Sequence, residues 1–576
     1  MLPFFLRSVA RLRVFLTRRS VFPVGLSGTL LTLLIQQAPV RAAEEILASF
    51  GVIQASIPIS SLENYVENGT IDRELRPYAR YFEPEQLQEL RRFLGTPLEV
   101  DRQAMTNLLY TAPGETLLKR VGAVVRTRRN NGFLALRAAL VLSAWQNEAG
   151  LTPIDVLKRF PTDSLVIDVG EGLSIARDVE QLLNQSSEAI ALVKTQFQSQ
   201  LPSDITTLTP NPLMETGPYR WAKATSALPL QRRAFPVDIY LPERNEAAPI
   251  VVISHGLGSN IDSYRYLAEH LASHGLVVVV LEHQGSNAEH IEALLSGIAD
   301  DVAEPEEFIN RTSDISAVLD ALEALAATDP ALKNRLDFDH IGVAGQSFGG
   351  YTALALAGAT FDFETLATYC PDGSSLDDDD AGHEGRDRSF NLSLILQCRA
   401  LELADDPIFA EQNSLRDERI DAAIAINPIG SAIFGTNGFQ QIDIPTMIMT
   451  GSADVVAPTL WEQLTPFSWL QTPDKYLLML HRGTHFSTIG ATEDDIPLPE
   501  VILGPTPEVA QQYVKAMSLG FFQTYLGQDT SLQATTEPSR TSALSFSPLS
   551  PVYVHAISQD SMPLSLIREL DAEFSD

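Results

Sequence analysis

Positive charge is scarce in this sequence. Forty-one Lys and Arg face 73 Asp and Glu, a formal net charge of −32. Six of the arginines (Arg7, Arg11, Arg13, Arg18, Arg19 and Arg41) fall in the first 42 residues, where there is no acid. A chain so acidic repels nucleic acid and anionic membrane surfaces, and no long basic patch is read along it. Cysteine is rarer still, with only Cys370 and Cys398. Residues 43–195 hold no Cys/His cluster and no glycine-rich phosphate loop, which argues against a metal centre or a nucleotide cradle there. The acidic run Asp377–Asp380 lacks the alternating ligands, central glycine and terminal Glu of a calcium-binding loop, so a solvated loop is the simpler reading.

Apolar runs of membrane-spanning length are also wanting. "VFPVGLSGTLLTLLI" is short for a spanning helix and ends in Gln36 and Gln37. It follows an Arg-rich stretch and precedes the small residues of "QQAPVRA", so it reads as an export signal cleaved after Ala42. The pair Arg18–Arg19 admits twin-arginine export, and an uncleaved membrane anchor is the alternative. The mature chain is then periplasmic or secreted. In an exported chain two cysteines favour one disulfide. It would close a polar loop at 370–398 and stabilise by about 3 kcal/mol in the chain-entropy model; two unlinked buried thiols are the alternative.

What remains is ordinary globular composition, 45% hydrophobic and 20% charged, in a chain longer than one core usually reaches. Residues 43–195 read as a helical domain, through "IPISSLENYVENG", "EPEQLQELRRFLG", "GFLALRAALVLSAW" and "TPIDVLKRFP". Residues 196–215 are polar and proline-bearing, as in a linker. From 216 to 527 short apolar runs alternate with helical stretches. The runs are "PVDIYLP", "PIVVISHG", "GLVVVVLEH", "HIGVAGQS", "DAAIAINP", "PTMIMTGS" and "KYLLMLHRG". Near-continuous apolar strands between helices predict an α/β domain with a mostly parallel, doubly wound sheet. The Ser/Thr/Pro-rich tail, 528–576, is expected to be partly ordered at best.

Functional residues in such sheets gather where strands end. Ser347, in "VAGQSFGG", follows one strand directly and starts a helix. The pattern Gly-x-Ser-x-Gly is too common by chance to decide alone, but a strand–turn–helix setting makes it a nucleophile elbow. Gly345 and Gly349 would then be required by the tight turn and by close helix packing. A serine nucleophile needs a base and an orienting carboxylate, in the order Ser, acid, His for this architecture. Asp454 follows "PTMIMTGSA" and His485 follows "KYLLMLHRGT", both at strand ends. His481 is the weaker candidate for the base, and His555 in the tail weaker still. One strand earlier the acid position is taken by uncharged Asn427. "SHGLGSN" offers Gly256 and Gly258 after an early strand, so the N–H groups of Leu257 and Phe348 are the candidate oxyanion donors.

"PIVVISHGLGSN", "LASHGLVVVVLEHQGS" and "VAGQSFGG", in this order, resemble the platelet-activating-factor acetylhydrolase-like branch of the α/β-hydrolases, over about 215–527. The resemblance implies the α/β-hydrolase fold and a serine esterase acting on lipid or short-chain carboxylic esters, with possible transient contact with a lipid surface. Animal members of that branch take their acid from the earlier strand, where this chain has Asn427; Asp454 fits the layout of bacterial esterases and polyester hydrolases. The N-terminal part, with "FPTDSLVIDVGEGL", resembles the helical domain of unassigned function that precedes such hydrolases in cyanobacteria. The expected chemistry is acyl transfer to water through Ser347, His485 and Asp454, with no metal and no cofactor. A serine peptidase of the same fold shares this machinery, and a non-enzymatic scaffold is the remaining class. The loop at 370–398 is a candidate cap over the site. Oligomeric state is not legible.

Overall fold

A nine-stranded sheet organises the chain, in the order β13-β12-β11-β10-β9-β7-β8-β6-β5. The structure is a computed structural model that describes residues 42–570 apart from 51–52, 99–100, 147–149, 203–212, 230–233, 371–390, 410–412, 491–499 and 528–546. The expected export signal, the acidic run and the body of the candidate cap lie outside the described residues. Six central strands run parallel: β7 (Ala248–Ser254), β8 (Val277–Leu281), β9 (Leu336–Gln346), β10 (Ile420–Ile426), β11 (Thr446–Gly451) and β12 (Lys475–Leu480). Each is one of the apolar runs visible in the sequence. β7 and β8 are buried at every residue, as strands covered by helices on both faces must be. Antiparallel strands flank them, β5 (Trp221–Pro229) and β6 (Ala234–Pro242) at one edge and β13 (Leu564–Ile567) at the other.

The chain runs from β7 to β8 on one side of it and then returns to place β9 on the other. That reversal opens a crevice beyond the carboxyl ends of β7 and β9, the place where ligands bind in open α/β sheets.

The N-terminal part is less purely helical than its sequence suggests. A second sheet, β2-β1-β4-β3, is built from Glu45–Phe50 (β1), Ile53–Pro58 (β2), Val125–Arg126 (β3) and Ser164–Asp168 (β4). Its strands are two to six residues long, too short to compete with the helical periodicity around them. Its core joins Ile46 and Leu165 to helix residues such as Leu62, Leu118 and Ala139. The long helix α4 (Val169–Ser199) starts against this sheet, yet its far end, at Ala189, Val193 and Phe197, is buried in the core of the large sheet. Residues 42–576 accordingly form one compact unit by contact, and the stretch read as a linker begins inside a helix.

The tail is described over residues 547–570. Helix Pro551–Ile557 and β13 follow the Ser/Thr/Pro-rich stretch, and β13 pairs antiparallel with β12 from Leu477↔Ile567 to Leu480↔Leu564. Val554, Met562, Leu566 and Ile567 are all buried, so the chain end closes the sheet edge. Leu566→Ala, which empties volume under that edge, is expected to destabilise the protein by about 2–5 kcal/mol in urea denaturation.

Candidate active site

Ser347 sits between β9 and helix α5 (Phe348–Leu356). Its backbone has φ 55° and ψ −113°, a conformation that costs an L-residue roughly 1–3 kcal/mol and persists only where the surroundings enforce it. The enforcement is close packing. A Cβ on Gly349 would lie 2.0 Å from Ser254 O, and one on Gly345 would lie 2.1 Å from Gly349 O. Only hydrogen fits at either place. The turn thereby presses α5 against the end of β7 and turns Ser347 Oγ toward the crevice.

His485 and Asp454 reach the same crevice from the loops after β12 and β11. His485 Nε2 lies 2.9 Å from Ser347 Oγ. Its Nδ1 lies 2.7 Å from Asp454 Oδ2. A carboxylate can only accept, so Nδ1 carries the proton and Nε2 is left to accept from the serine hydroxyl. Gln346 Nε2 donates to His485 O at 3.1 Å, holding the histidine's backbone. Asp454 and His485 are both buried. Asp454 Oδ1 accepts from the N–H groups of Val456 and Ala457 at 2.9 and 2.8 Å. Asn427 Nδ2 donates to Oδ2 at 2.7 Å. Four donors thus converge on this carboxylate. Asn427, the uncharged residue at the alternative acid position, touches the acid itself.

The loop after β7 lies against the serine. A Cβ on Gly256 would come within 3.4 Å of Ser347 Cβ and 2.4 Å of Gln346 Oε1. Phe348 is the first residue of its helix, where N–H groups have no intrahelical acceptor. Among the described residues, neither the Leu257 nor the Phe348 N–H has an acceptor within the protein. Such free donors beside the Ser347 hydroxyl are suited to a developing negative charge.

Behind this loop stands a buried polar scaffold that the sequence reading missed. His255 Nε2 accepts from the His283 N–H at 2.9 Å, so its Nδ1 bears hydrogen and donates to Gly256 O at 2.8 Å. Burial holds the His255 imidazole well below its ordinary pKa, which keeps it neutral in these roles. Arg311 is wholly buried, and its guanidinium donates to His255 O, Ser286 Oγ and Thr352 Oγ1 and lies 4.6 Å from the Phe348 ring centroid. Burial draws its pKa down to about 10, still charged at neutral pH. One cation therefore braces both residues next to the free N–H groups. The signal was present in the sequence: Arg311 falls on the apolar stripe of its helix with Phe308, Ile315, Val318 and Leu322, all buried.

Other candidates lie elsewhere. His481 Nε2 bonds Ser565 Oγ at 2.9 Å, and burial lowers its pKa to about 4. His555 is exposed on the tail helix. Cys370 and Cys398 are joined in a disulfide. Among the described residues no group of three or more His, Cys, Asp and Glu could hold a metal ion.

Strand, sharp turn, helix and a site at the sheet's switch point decide the architecture. The chain has the α/β-hydrolase fold. Comparison with known families agrees. Residues 42–168 match a family described as an alpha/beta hydrolase of unknown function, and residues 237–317 match platelet-activating factor acetylhydrolase, isoform II. The second match spans β7, β8 and the scaffold through Arg311. Among individual proteins the chain is 27% identical over 133 residues to cutinase est2 of Thermobifida alba, covering 23% of this chain and 38% of the cutinase. It is 27% identical over 140 residues to the platelet-activating factor acetylhydrolase of Canis lupus familiaris, covering 19% of this chain and 32% of that protein. Each match thus spans well under half of the relative. The chain is thus similar, at low identity and over part of its length, to ester hydrolases. Gly349→Ala, which drives a methyl group into Ser254 O, is expected to cost about 2 kcal/mol or more of stability, measured by chemical denaturation.

Proposed function

We propose that the protein is a serine carboxylic-ester hydrolase acting on lipid or short-chain acyl esters. The observation that carries this is the continuous chain from Ser347 Oγ through His485 to Asp454, at 2.9 and 2.7 Å. Similarity to a cutinase and to an acetylhydrolase supports an ester as the bond attacked.

In this reading His485 Nε2 takes the Ser347 proton as Oγ adds to the ester carbonyl. The oxyanion accepts from the Leu257 and Phe348 N–H groups. Collapse of the tetrahedral adduct breaks the ester C–O bond, and the proton on His485 passes to the leaving alkoxide. Water, deprotonated by His485, then hydrolyses the acyl-enzyme. Asp454 stabilises the imidazolium and fixes the tautomer, and Asn427 positions Asp454. The disulfide supports an oxidising compartment and so an exported enzyme.

A fluorophosphonate probe is expected to label Ser347, located by mass spectrometry. Ser347→Ala should lower kcat/KM on p-nitrophenyl butyrate by about three orders of magnitude or more. Labelling elsewhere, full activity in that variant, or hydrolysis confined to peptides in a mixed panel would end the reading. Asn427→Ala, which removes one hydrogen bond to a charged carboxylate, is expected to lower kcat about tenfold with little change in KM.

A further inference from the structure

Helix α3 (Phe133–Gln146) presents an unpartnered apolar face. Leu134, Ala138, Leu142 and Trp145 recur at helical spacing along it, with Leu134 62% and Trp145 53% exposed. A helix apolar all round is normally buried, and this one is not. Its neighbour α2 (Ala112–Val124) runs antiparallel: Gly122 lies against Phe133, and Glu115 bonds Arg137 further along. On α2 the residues Leu117 and Val121 are 45% and 44% exposed. Beside them, α1 (Arg102–Leu109) and Tyr110 pack against both helices and expose Leu108 and Tyr110.

The charge of this segment is opposite to that of the whole. Residues 102–145 carry seven Lys and Arg and one acid, Glu115, in a chain of net charge −32; Lys119 and Arg137 pair with that acid, Arg126 with Asp168 and Arg128 with Glu45. Averaging over the full sequence hides this basic patch, which the sequence reading did not find. Arg128 and Arg129 are exposed in the turn between α2 and α3, at the Leu134 end of the stripe. At the other end the Arg102 guanidinium lies 5.8 Å from the Trp145 ring centroid. An apolar helical face with an interfacial tryptophan, flanked by cations, has the chemistry of a surface that lies in the headgroup region of an anionic bilayer. The acidic remainder does not cancel it, because charges beyond roughly 10 Å are screened at physiological salt. Among the described residues no helix is long and apolar enough to cross a membrane. The helices touch the segment that follows β8: Asn107 Nδ2 donates to Leu295 O, at the end of the helix Ala288–Leu295, at 2.8 Å.

We infer that α1–α3 form a docking surface for anionic phospholipid bilayers, which brings the Ser347 crevice to lipid-borne substrate. This deepens the ester-hydrolase reading, but docking itself does not depend on catalysis. The test uses residues 43–576, which lie within the single compact unit, carrying Ser347→Ala so that lipid is not consumed. Flotation is measured with vesicles of phosphatidylcholine alone and with 30% phosphatidylglycerol. Binding is expected at least tenfold stronger with phosphatidylglycerol, weakened by 0.5 M NaCl, reduced tenfold or more by Leu134→Asp/Trp145→Asp and, separately, about fivefold or more by Arg129→Glu. Arg129 is an exposed turn side chain, so this variant covers the case in which the first fails to fold. Equal binding to both vesicles, no binding, or binding untouched by folded variants overturns the inference. So does light scattering that shows a dimer dissociated by Leu134→Asp/Trp145→Asp, since a second copy would then be the occupant. Activity of the variants with intact Ser347 on soluble p-nitrophenyl butyrate, expected unchanged, reports on the hydrolase reading separately.

Discussion

The helix that follows Ser347 approaches the end of β7 more closely than any side chain would allow, and the site depends on that approach. Gly349 against Ser254 O and Gly345 against Gly349 O leave room for hydrogen only. Because the turn is squeezed from both sides, Ser347 holds a left-handed backbone that it would abandon in isolation. The same approach brings the β7 loop alongside, so the Leu257 and Phe348 N–H groups come from two chain segments pressed together. Arg311 then fixes both from behind. Geometry that must be accurate within fractions of an ångström is set by backbone contact, which has no rotamers to lose.

The histidine and the acid are held differently. Neither is on a strand; the acid is fixed by hydrogen bonds within its own loop, and the histidine by one from the end of β9. Asp454 takes two backbone N–H groups from the residues just after it, Val456 and Ala457. His485 is held through its carbonyl by Gln346, the neighbour of the serine. The loops are thus tied to the turn they serve.

Much of this was legible in the sequence because the central strands are continuous apolar runs, and a parallel sheet buried on both faces requires such runs. Once the strands were placed, Ser347, Asp454 and His485 each fell at a strand's carboxyl end. Short elements escaped. β1 to β4 run two to six residues, and β13 only four; such lengths carry no period long enough to stand out. The helix and strand of the tail were not read because Ser, Thr and Pro between 528 and 550 mask the apolar residues of "PVYVHAI" and "LSLI" just beyond. The bond from Asn427 to Asp454 is a tertiary fact with no trace in local pattern. Net charge misled for a different reason, since one number cannot report a basic segment within an acidic whole.

Glu462 and the disulfide together bound the segment between Cys370 and Cys398. Glu462 is buried and accepts from Asn391, Ser393, Gln397 and Ser431 side chains and from the N–H groups of Gly430 and Ser431. Cys370 ends the helix Phe363–Tyr369 and is covalently fixed to Cys398. Both margins of the segment are therefore anchored independently of what lies between them. A proteolytic cut between them leaves a single covalent molecule whose two margins stay in place, so the segment can be nicked without being released.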